Sequence, residues 1–261
     1  MNERHLLALS GGKDSAALAV YMREKHPELP MEYVFIDSGC ELPETYAYLD
    51  KLRAILGIEI ISIRSRKSFD YWIKMFNGVL PAPSNRWCTK LLKLKPYAEW
   101  LRKHCGGYTV LNYAGLRADE DRAGYQSKSD QVISVFPFVT DGIVLSDVKR
   151  ILSESGLGLP EYYGWRQRSG CYFCFYQRDN EWRGLRHSHP ELFERACQME
   201  ENHSDGRTYT WRDNGPLRDL SQAEDLKPVE RQEGRPTLSS TLSGLTAQVS
   251  EVVIQQGVGN E

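Results

Sequence analysis

Six consecutive residues near the N-terminus, Ser10-Gly-Gly-Lys-Asp-Ser15, have the types and order needed to bind an anion. They follow a short apolar run and precede a helical pattern, so backbone N–H groups at the positive end of the helix dipole would face the ligand. The glycines allow the backbone to close around phosphate oxygens, Lys13 adds a mobile charge, and two hydroxyls can donate. A plain strand-to-helix turn is the alternative, but the lysine and the hydroxyls favour a phosphate site.

A second polar segment, Gly115-Leu-Arg117-Ala-Asp-Glu120-Asp-Arg122, follows a later strand-like run. A guanidinium here can grip a phosphate and be held in turn by a carboxylate. The alternative is a surface ion-pair cluster. We favour the phosphate interpretation because the loop lies at the carboxyl end of a strand, on the same edge as the Gly-rich loop. Asp37 ends another strand at that edge.

Cys171-x-x-Cys174 presents two thiols about one tight turn apart, which suits Zn²⁺ or an iron–sulfur cluster. His187, His189 and His203 could complete a zinc site instead, although histidines on a charged helix are more often solvated. The spacing therefore predicts a metal site and leaves the metal open.

Three other cysteines lie apart from that pair. Cys40 is close to the predicted nucleotide site, where it is a fourth ligand, a persulfide carrier, or a small buried hydrophobe. Cys105 and Cys197 are expected to serve packing.

The elements that position these residues alternate between strand and helix. The predicted strands are His5–Leu9, Glu32–Ile36, Ile58–Ile63, Tyr108–Ala114 and Val132–Val139, and the predicted helices are Ala16–Lys25, Pro43–Leu56, Leu145–Ser155 and a helix or helix pair over Asn180–Glu201. This alternation predicts an α/β fold, with a parallel twisted sheet, helices on both faces, and a ligand site at the carboxyl ends of the strands. A domain spanning 1–220 is expected, with a cysteine-containing helical and loop region at about 159–203. A polar, flexible tail is expected over 221–261.

Composition excludes some classes of partner. The 261 residues carry a formal net charge of −2, so no global field would draw the molecule to nucleic acid or an anionic membrane. No apolar run approaches membrane-spanning length, and six cysteines are too few for a disulfide scaffold. A cytoplasmic protein is expected.

One locally basic and aromatic stretch could hold a nucleic-acid strand or a small anionic substrate, although a solvated helix face is the simpler interpretation. Its members are Arg86, Trp87, Lys90, Lys93, Lys95 and Tyr97.

Taken in order, these segments resemble one protein family. The Gly-rich loop is similar to the PP-loop of N-type ATP pyrophosphatases. Two further segments resemble motifs of one branch of that superfamily, which contains phosphoadenylyl-sulfate reductase and the DNA phosphorothioation sulfurtransferase subunit. These segments are Asp37-Ser-Gly-Cys-Glu-Leu-Pro-Glu44-Thr45 and the Arg117 motif. Arg86-Trp-Cys88 and Gly170-Cys171-Tyr-Phe-Cys174 match that branch's cysteine positions. The resemblance implies an adenine nucleotide α-hydrolase-like fold and adds Cys88 as a third metal ligand.

The resemblance also implies roles for individual residues. ATP with Mg²⁺ would be bound by Ser10, Gly11, Gly12, Lys13, Asp14, Ser15, Asp37, Gly115, Arg117, Glu120 and Arg122. Lys13, Asp37, Arg117 and Cys40 are the predicted catalytic residues. The metal ligands would be Cys88, Cys171 and Cys174, holding a [4Fe–4S] cluster or Zn²⁺; three ligands would leave one iron open for sulfide.

One departure from the family decides between activities. A sulfonucleotide reductase needs a nucleophilic cysteine in a Glu-Cys-Gly-x-His context near its C-terminus, and no cysteine follows Cys197. Such reductases also tend to lose the full loop that this chain keeps.

We therefore expect an ATP-dependent enzyme that adenylates a substrate and inserts sulfur. A cysteine desulfurase is a possible sulfur donor, and the acceptor is open. The alternatives are a sulfonucleotide reductase and a nucleotide-sensing regulatory module with structural zinc.

Overall fold

A computed structural model describes residues 2–124, 127, 129–168, 170–201 and 209–220. The flexible tail predicted over 221–261, and His203, lie outside these ranges. Within them, no helix combines the length and apolar composition needed to cross a bilayer.

Five parallel strands form one sheet in the order β3-β2-β1-β4-β5. The strands are β1 (Glu3–Leu9), β2 (Met31–Asp37), β3 (Ile60–Arg64), β4 (Thr109–Tyr113) and β5 (Val132–Val135). The central strand β1 pairs with β2 on one side and β4 on the other, with His5 opposite both Met31 and Leu111. Chain connections therefore diverge on either side of β1, and such a switch point opens a crevice at the strands' carboxyl ends.

Helices cover both faces of the sheet, as the α/β pattern predicts. The main helices are α1 (Lys13–Lys25), α2 (Pro43–Leu56), α3 (Phe69–Met75), α4 (Lys95–His104), α5 (Pro137–Thr140), α6 (Leu145–Glu154), α7 (Asp179–Ser188) and α8 (Pro190–Glu201). One face packs against α1, α2 and α6, and the other against the aromatic side of α4. The helix α2 begins at Pro43 and ends at Gly57, which adopts the left-handed conformation (φ 60°) that glycine tolerates.

One predicted strand is wrong at its end. The run Val132–Val139 is a strand only to Val135, and Pro137 then opens the short helix α5. Proline has no backbone N–H to donate to a sheet, whereas its fixed φ suits the first turn of a helix.

The cysteine-containing region has a hydrophobic core of its own, separate from the sheet's two faces. This second core joins α3, the segment around Trp87, the residues 162–173, α7, α8 and the segment 209–220. Trp182 and Trp211 are buried in it, and the Glu200 carboxylate on α8 accepts hydrogen bonds from the backbone N–H groups of Trp211 and Leu217 at 2.8 and 2.7 Å. A region with this much buried aromatic surface is a folded unit rather than a loop.

Candidate functional site

The Gly-rich loop joins β1 to α1 as the sequence predicts. The Ser15 hydroxyl accepts a hydrogen bond from the backbone N–H of Ser10 at 3.1 Å and donates to the Gly12 carbonyl oxygen at 3.2 Å. Lys13 is 9% exposed, and its ammonium lies 2.6 Å from the Asp14 carboxylate. These contacts hold the loop in a compact shape at the N-terminus of α1, where the helix dipole favours an anion.

Two glycines allow neighbouring elements to approach this loop closely. A Cβ on Gly11, which has φ +72°, would come within 2.3 Å of Thr45 Cγ2 at the start of α2. A Cβ on Gly115 would come within 2.7 Å of the Asp14 carbonyl oxygen. Only glycine fits at these two contacts, which explains why the loop, the Asp37 motif and the Arg117 motif meet at one edge of the sheet.

Arg117 is 3% exposed and lies among three carboxylates. Its guanidinium is 2.7 Å from Asp14, 2.8 Å from Asp119 and 3.2 Å from Glu120. Burial lowers the pKa of Arg117, but Asp14 and the other carboxylates outweigh it and the net shift is upwards. Arg122 is exposed and pairs with Glu120 at 2.7 Å. The carboxylates compensate the charge of Arg117, and the bond between Arg117 and Asp14 helps to fix the Gly-rich loop. A contact between Arg117 and a phosphate stays a prediction.

Asp37 is buried at the end of β2. One carboxylate oxygen accepts hydrogen bonds from the Gly39 N–H at 2.7 Å and the Tyr46 hydroxyl at 2.8 Å, and the other lies 3.0 Å from Arg64. These bonds fix the turn that follows β2. The catalytic role predicted for Asp37 stays a prediction.

The residues after that turn contact the cysteine region. Glu41 forms an isolated antiparallel bridge with Cys171, and the Tyr172 N–H donates to the Cys40 carbonyl oxygen at 2.9 Å. Cys40 and Cys197 are buried in the second core. Cys105 is buried in the separate core beside α4. Burial raises the pKa of the Cys40 thiol.

Lys93 interacts electrostatically with each of Cys88, Cys171 and Cys174. Burial raises the pKa of the Cys88 thiol. Burial and the charge of Glu41 raise the pKa of the Cys171 thiol to about 12. In both cases Cys174 raises the pKa further and Lys93 lowers it. Burial lowers the pKa of Lys93, but Glu41, Cys171 and Cys174 together outweigh burial, and the net shift is upwards. All three thiols are free and partly exposed.

These thiols do not yet form a coordination sphere. Among the described residues, no group of three or more His, Cys, Asp and Glu side chains is arranged to hold a metal ion. The Cys171 sulfur instead lies 3.1 Å from the Ser38 hydroxyl and 3.9 Å from Glu41 Oε1. In its chemistry the donor set suits a soft metal, since thiolates are the ligands that such metals prefer and Lys93 favours the ionised forms of Cys88 and Cys171.

Several residues near the site were not singled out by the sequence interpretation. The Tyr162 hydroxyl donates to the Gly11 carbonyl oxygen at 2.8 Å, and the Lys13 N–H points at the Tyr163 hydroxyl at 3.5 Å. Glu41 accepts hydrogen bonds from Ser38 at 2.8 Å and Lys93 at 3.2 Å. The tyrosines are about 150 residues from the loop, so no local spacing could reveal them.

The other predicted candidates are placed as follows. Trp87 is buried in the second core, and the Tyr97 ring packs against the core beside α4 with its hydroxyl bonded to Asn112, so both rings are engaged in packing. Arg86, Lys90 and Lys95 are exposed. His189 lies 2.7 Å from Glu44 at the start of α2, and no described group of metal-holding side chains includes it.

The sheet order, the Gly-rich loop at its edge and the flanking helices define a PP-loop protein of the α/β class. The chain belongs to the phosphoadenosine phosphosulfate reductase domain family, whose model matches residues 4–139, just over half of the chain.

Curated relatives extend the match but do not name an activity. The chain is 28% identical over 201 residues to an uncharacterized protein of Methanocaldococcus jannaschii, covering 71% of this chain and 45% of that protein. A second uncharacterized protein of that organism is 26% identical over 200 residues, covering 73% and 40%. An uncharacterized nin region protein of Escherichia phage lambda is 25% identical over 143 residues, covering 45% and 49%. The chain thus spans less than half the length of each.

Solved structures with a similar chain course include two enzymes. Phosphoadenylyl-sulfate reductase from Candida auris, in a phosphate complex, superposes with a TM-score of 0.49 at 20% identity over 66% of this chain and 81% of that one. The U34-tRNA thiolase of Methanococcus maripaludis, with its [4Fe–4S] cluster, gives a TM-score of 0.44 at 16% identity over 86% and 80%.

Proposed function

We propose that this protein is an ATP-dependent enzyme that adenylates an oxygen atom of an acceptor and replaces that oxygen with sulfur. The acceptor oxygen bonds to the α-phosphorus of ATP, the bond between the α and β phosphates breaks, and pyrophosphate leaves. A sulfur nucleophile supplied by a sulfur donor then forms the new bond, and AMP leaves with the original acceptor oxygen.

The observation that carries this proposal is the contact between the phosphate loop and the cysteine region. The Tyr162 hydroxyl donates to Gly11 at 2.8 Å, and Glu41 of the Asp37 motif bridges to Cys171. A nucleotide on the loop and a sulfur carried by the thiols would therefore lie on neighbouring surfaces. Holding two reactants side by side removes much of the entropic barrier to their reaction.

The proposed roles follow from this arrangement. The loop residues Ser10 to Ser15 hold the β and γ phosphates that leave as pyrophosphate, and ATP enters with Mg²⁺. Cys88, Cys171 and Cys174 would hold a [4Fe–4S] cluster, with Zn²⁺ as the alternative metal; a cluster would supply a site for sulfide. Lys93 compensates negative charge among the thiols, and Glu41 holds Lys93 in place.

Nucleotide binding and pyrophosphate release test the first half of the proposal. Lys13→Ala should weaken ATP binding about 10-fold or more, since it removes a charge that contacts phosphate, while leaving the melting temperature unchanged. Lys25→Ala is the matched control, because Lys25 lies at the opposite end of α1 and pairs with Asp141. Equal ATP affinity in folded Lys13→Ala and wild-type protein would refute the phosphate assignment.

Anaerobic purification with iron, sulfide and zinc quantified tests the second half. The proposal expects iron and labile sulfide, together with pyrophosphate release when a suitable acceptor is present. Zinc without iron, and no pyrophosphate release with any candidate acceptor, would instead support a regulatory module with a structural metal.

A further inference from the structure

Two neighbouring tyrosines of the cysteine region contact the Gly-rich loop. Both lie in the single turn Glu161–Gly164, where Tyr162 is buried in the second core and Tyr163 packs against that core. The Tyr162 hydroxyl donates to the Gly11 carbonyl oxygen at 2.8 Å, and the two rings lie 5.0 Å apart. The turn is therefore held against the loop from the side of the cysteine region.

The Tyr163 hydroxyl lies at the N-terminus of α1. The Lys13 N–H donates to this hydroxyl at 3.5 Å, and the Lys13 ammonium lies 5.6 Å from the centre of the ring. Lys13 is the first residue of α1, and backbone N–H groups in the first turn of a helix have no partner within the helix. Tyr163 thus contacts a backbone donor of the kind that binds an anion at a helix N-terminus.

The bond between Lys13 and Tyr163 is weak. Its length of 3.5 Å exceeds the roughly 2.7–3.2 Å usual for an N–H···O bond, and its acceptor is a neutral hydroxyl. Charged acceptors form shorter and stronger bonds with such donors. A phosphate oxygen would therefore take over the Lys13 N–H and come to lie beside the Tyr163 hydroxyl, because the turn stays anchored to Gly11.

The Tyr163 hydroxyl also has a proton to donate. Its oxygen is the acceptor in the bond with Lys13, and no group in the described part of the chain accepts its proton. Burial and the charge of Asp14 raise the pKa of Tyr163 to about 12, so the hydroxyl stays protonated at physiological pH. A protonated hydroxyl beside a phosphate oxygen forms a charge-assisted hydrogen bond.

We propose that Tyr163 is a phosphate-binding residue, whose hydroxyl donates a hydrogen bond to the phosphates that leave as pyrophosphate. This inference rests on the proposed function and assigns part of the phosphate site to the cysteine region. Pyrophosphate then bonds both to the loop and to the turn that leads to Cys171.

Calorimetric titrations of ATP, inorganic pyrophosphate and AMP, each with Mg²⁺, into wild type, Tyr163→Phe and Tyr21→Phe test the proposal. Tyr163→Phe should bind ATP and pyrophosphate about 10-fold or more weakly, the loss expected for one hydrogen bond to a charged group, with AMP affinity changed less than about threefold. Tyr21→Phe is the matched control and should bind like wild type, because its hydroxyl lies further along α1 and bonds to Asp141.

Thermal melts without ligand separate a contact with phosphate from a role in shaping the loop. Tyr163→Phe keeps the ring and loses only a weak bond, so it should melt within about 3 °C of wild type. Tyr162→Phe is the comparison for a shaping role. It leaves the Gly11 carbonyl oxygen without its donor and should lower the melting temperature as well as ATP affinity.

Several results would overturn the proposal. Unchanged pyrophosphate affinity in Tyr163→Phe would show that the hydroxyl does not contact phosphate, and tighter binding would show that it competes with phosphate for the Lys13 N–H. An equal loss for AMP, or a melting temperature lowered as in Tyr162→Phe, would assign Tyr163 to the shape of the loop. A wild type that binds ATP limits each of these failures to Tyr163, whereas a wild type that binds none of the three ligands would overturn the proposed function as well.

Discussion

Lys93 is the single residue on which the chemistry of the cysteine site depends most. Its ammonium lies 3.2 Å from Glu41, whose side chain is 1% exposed. One oxygen of that carboxylate has no hydrogen-bond partner among the residues that the structure describes. Burial disfavours thiolates, and Lys93 is the nearby charge that favours them in Cys88 and Cys171. A metal would act in the same direction, since binding requires deprotonated ligands.

Single serine substitutions test the ligand set at the residue scale. If iron is present, Cys88→Ser, Cys171→Ser and Cys174→Ser should each abolish the visible absorbance of the anaerobic protein, since two remaining thiolates do not retain a four-iron cluster. Absorbance spectra and iron assays make the measurement.

The matched controls are the cysteines inside the cores. Cys105→Ser and Cys197→Ser should keep the absorbance and lose about 1–3 kcal/mol of stability, because a hydroxyl enters an apolar core. Cys40→Ser should also keep it. Loss of the absorbance in Cys40→Ser would indicate a fourth protein ligand, and the thiols would then hold a cluster without an open iron.

At the scale of elements, the phosphate loop is shaped by α2 as much as by α1. Thr45 in the first turn of α2 occupies the space beside Gly11, and Tyr162 bonds to the Gly11 carbonyl oxygen from the other side. The loop conformation is thus imposed by two neighbours that are distant in sequence.

A pair of glycine substitutions tests this fit. Gly11→Ala and Gly57→Ala both place an alanine at positive φ, at a cost of about 1–2 kcal/mol each. At Gly11 the new Cβ also meets a side chain, Thr45 Cγ2 at 2.3 Å. At Gly57 no atom of the described part of the chain lies within 4 Å of it. Gly11→Ala should therefore lose ATP affinity about 10-fold or more, and Gly57→Ala should lose only stability. Equal ATP affinity in the two variants, measured by calorimetry, would contradict the role of the Thr45 contact.

At the scale of the whole molecule, the chain combines a nucleotide-binding sheet with a second aromatic core. The sheet's faces pack around α1 and α4, while the second core joins residues from Cys40 to Leu220. The family match covers residues 4–139, so the part of the second core around Cys171 and Cys197 lies beyond it. The family match alone therefore does not establish sulfur chemistry in this chain, and experiments on the chain itself must test it.

Phosphoadenylyl-sulfate reduction is the activity that the family's name suggests, and we expect this chain to lack it. The sequence contains no Glu-Cys-Gly motif, and the last cysteine, Cys197, is fully buried. No accessible distal thiol is then present to attack the sulfonyl sulfur. Sulfite release in the presence of thioredoxin should stay at background. Robust release would contradict this prediction and make Cys40 the nucleophile to test, through Cys40→Ser.

The sequence by itself determined the class of fold, the position of the Gly-rich loop between β1 and α1, and most element boundaries to within a few residues. Glycine, proline and apolar periodicity act locally, so α2 runs from Pro43 to Leu56 as predicted. The same local reasoning extended β5 to Val139 in error, because the apolar run outweighed Pro137 in the interpretation.

Only the tertiary structure decided which residues surround the loop and the thiols. Tyr162 and Tyr163 reach the loop from about 150 residues away, and Lys93 meets Glu41 across 52 residues. It also gave Arg117 its three carboxylates and Asp37 its role in holding a turn. Such contacts depend on how the second core packs against the sheet, and the packing of distant side chains leaves no periodic signal in the sequence.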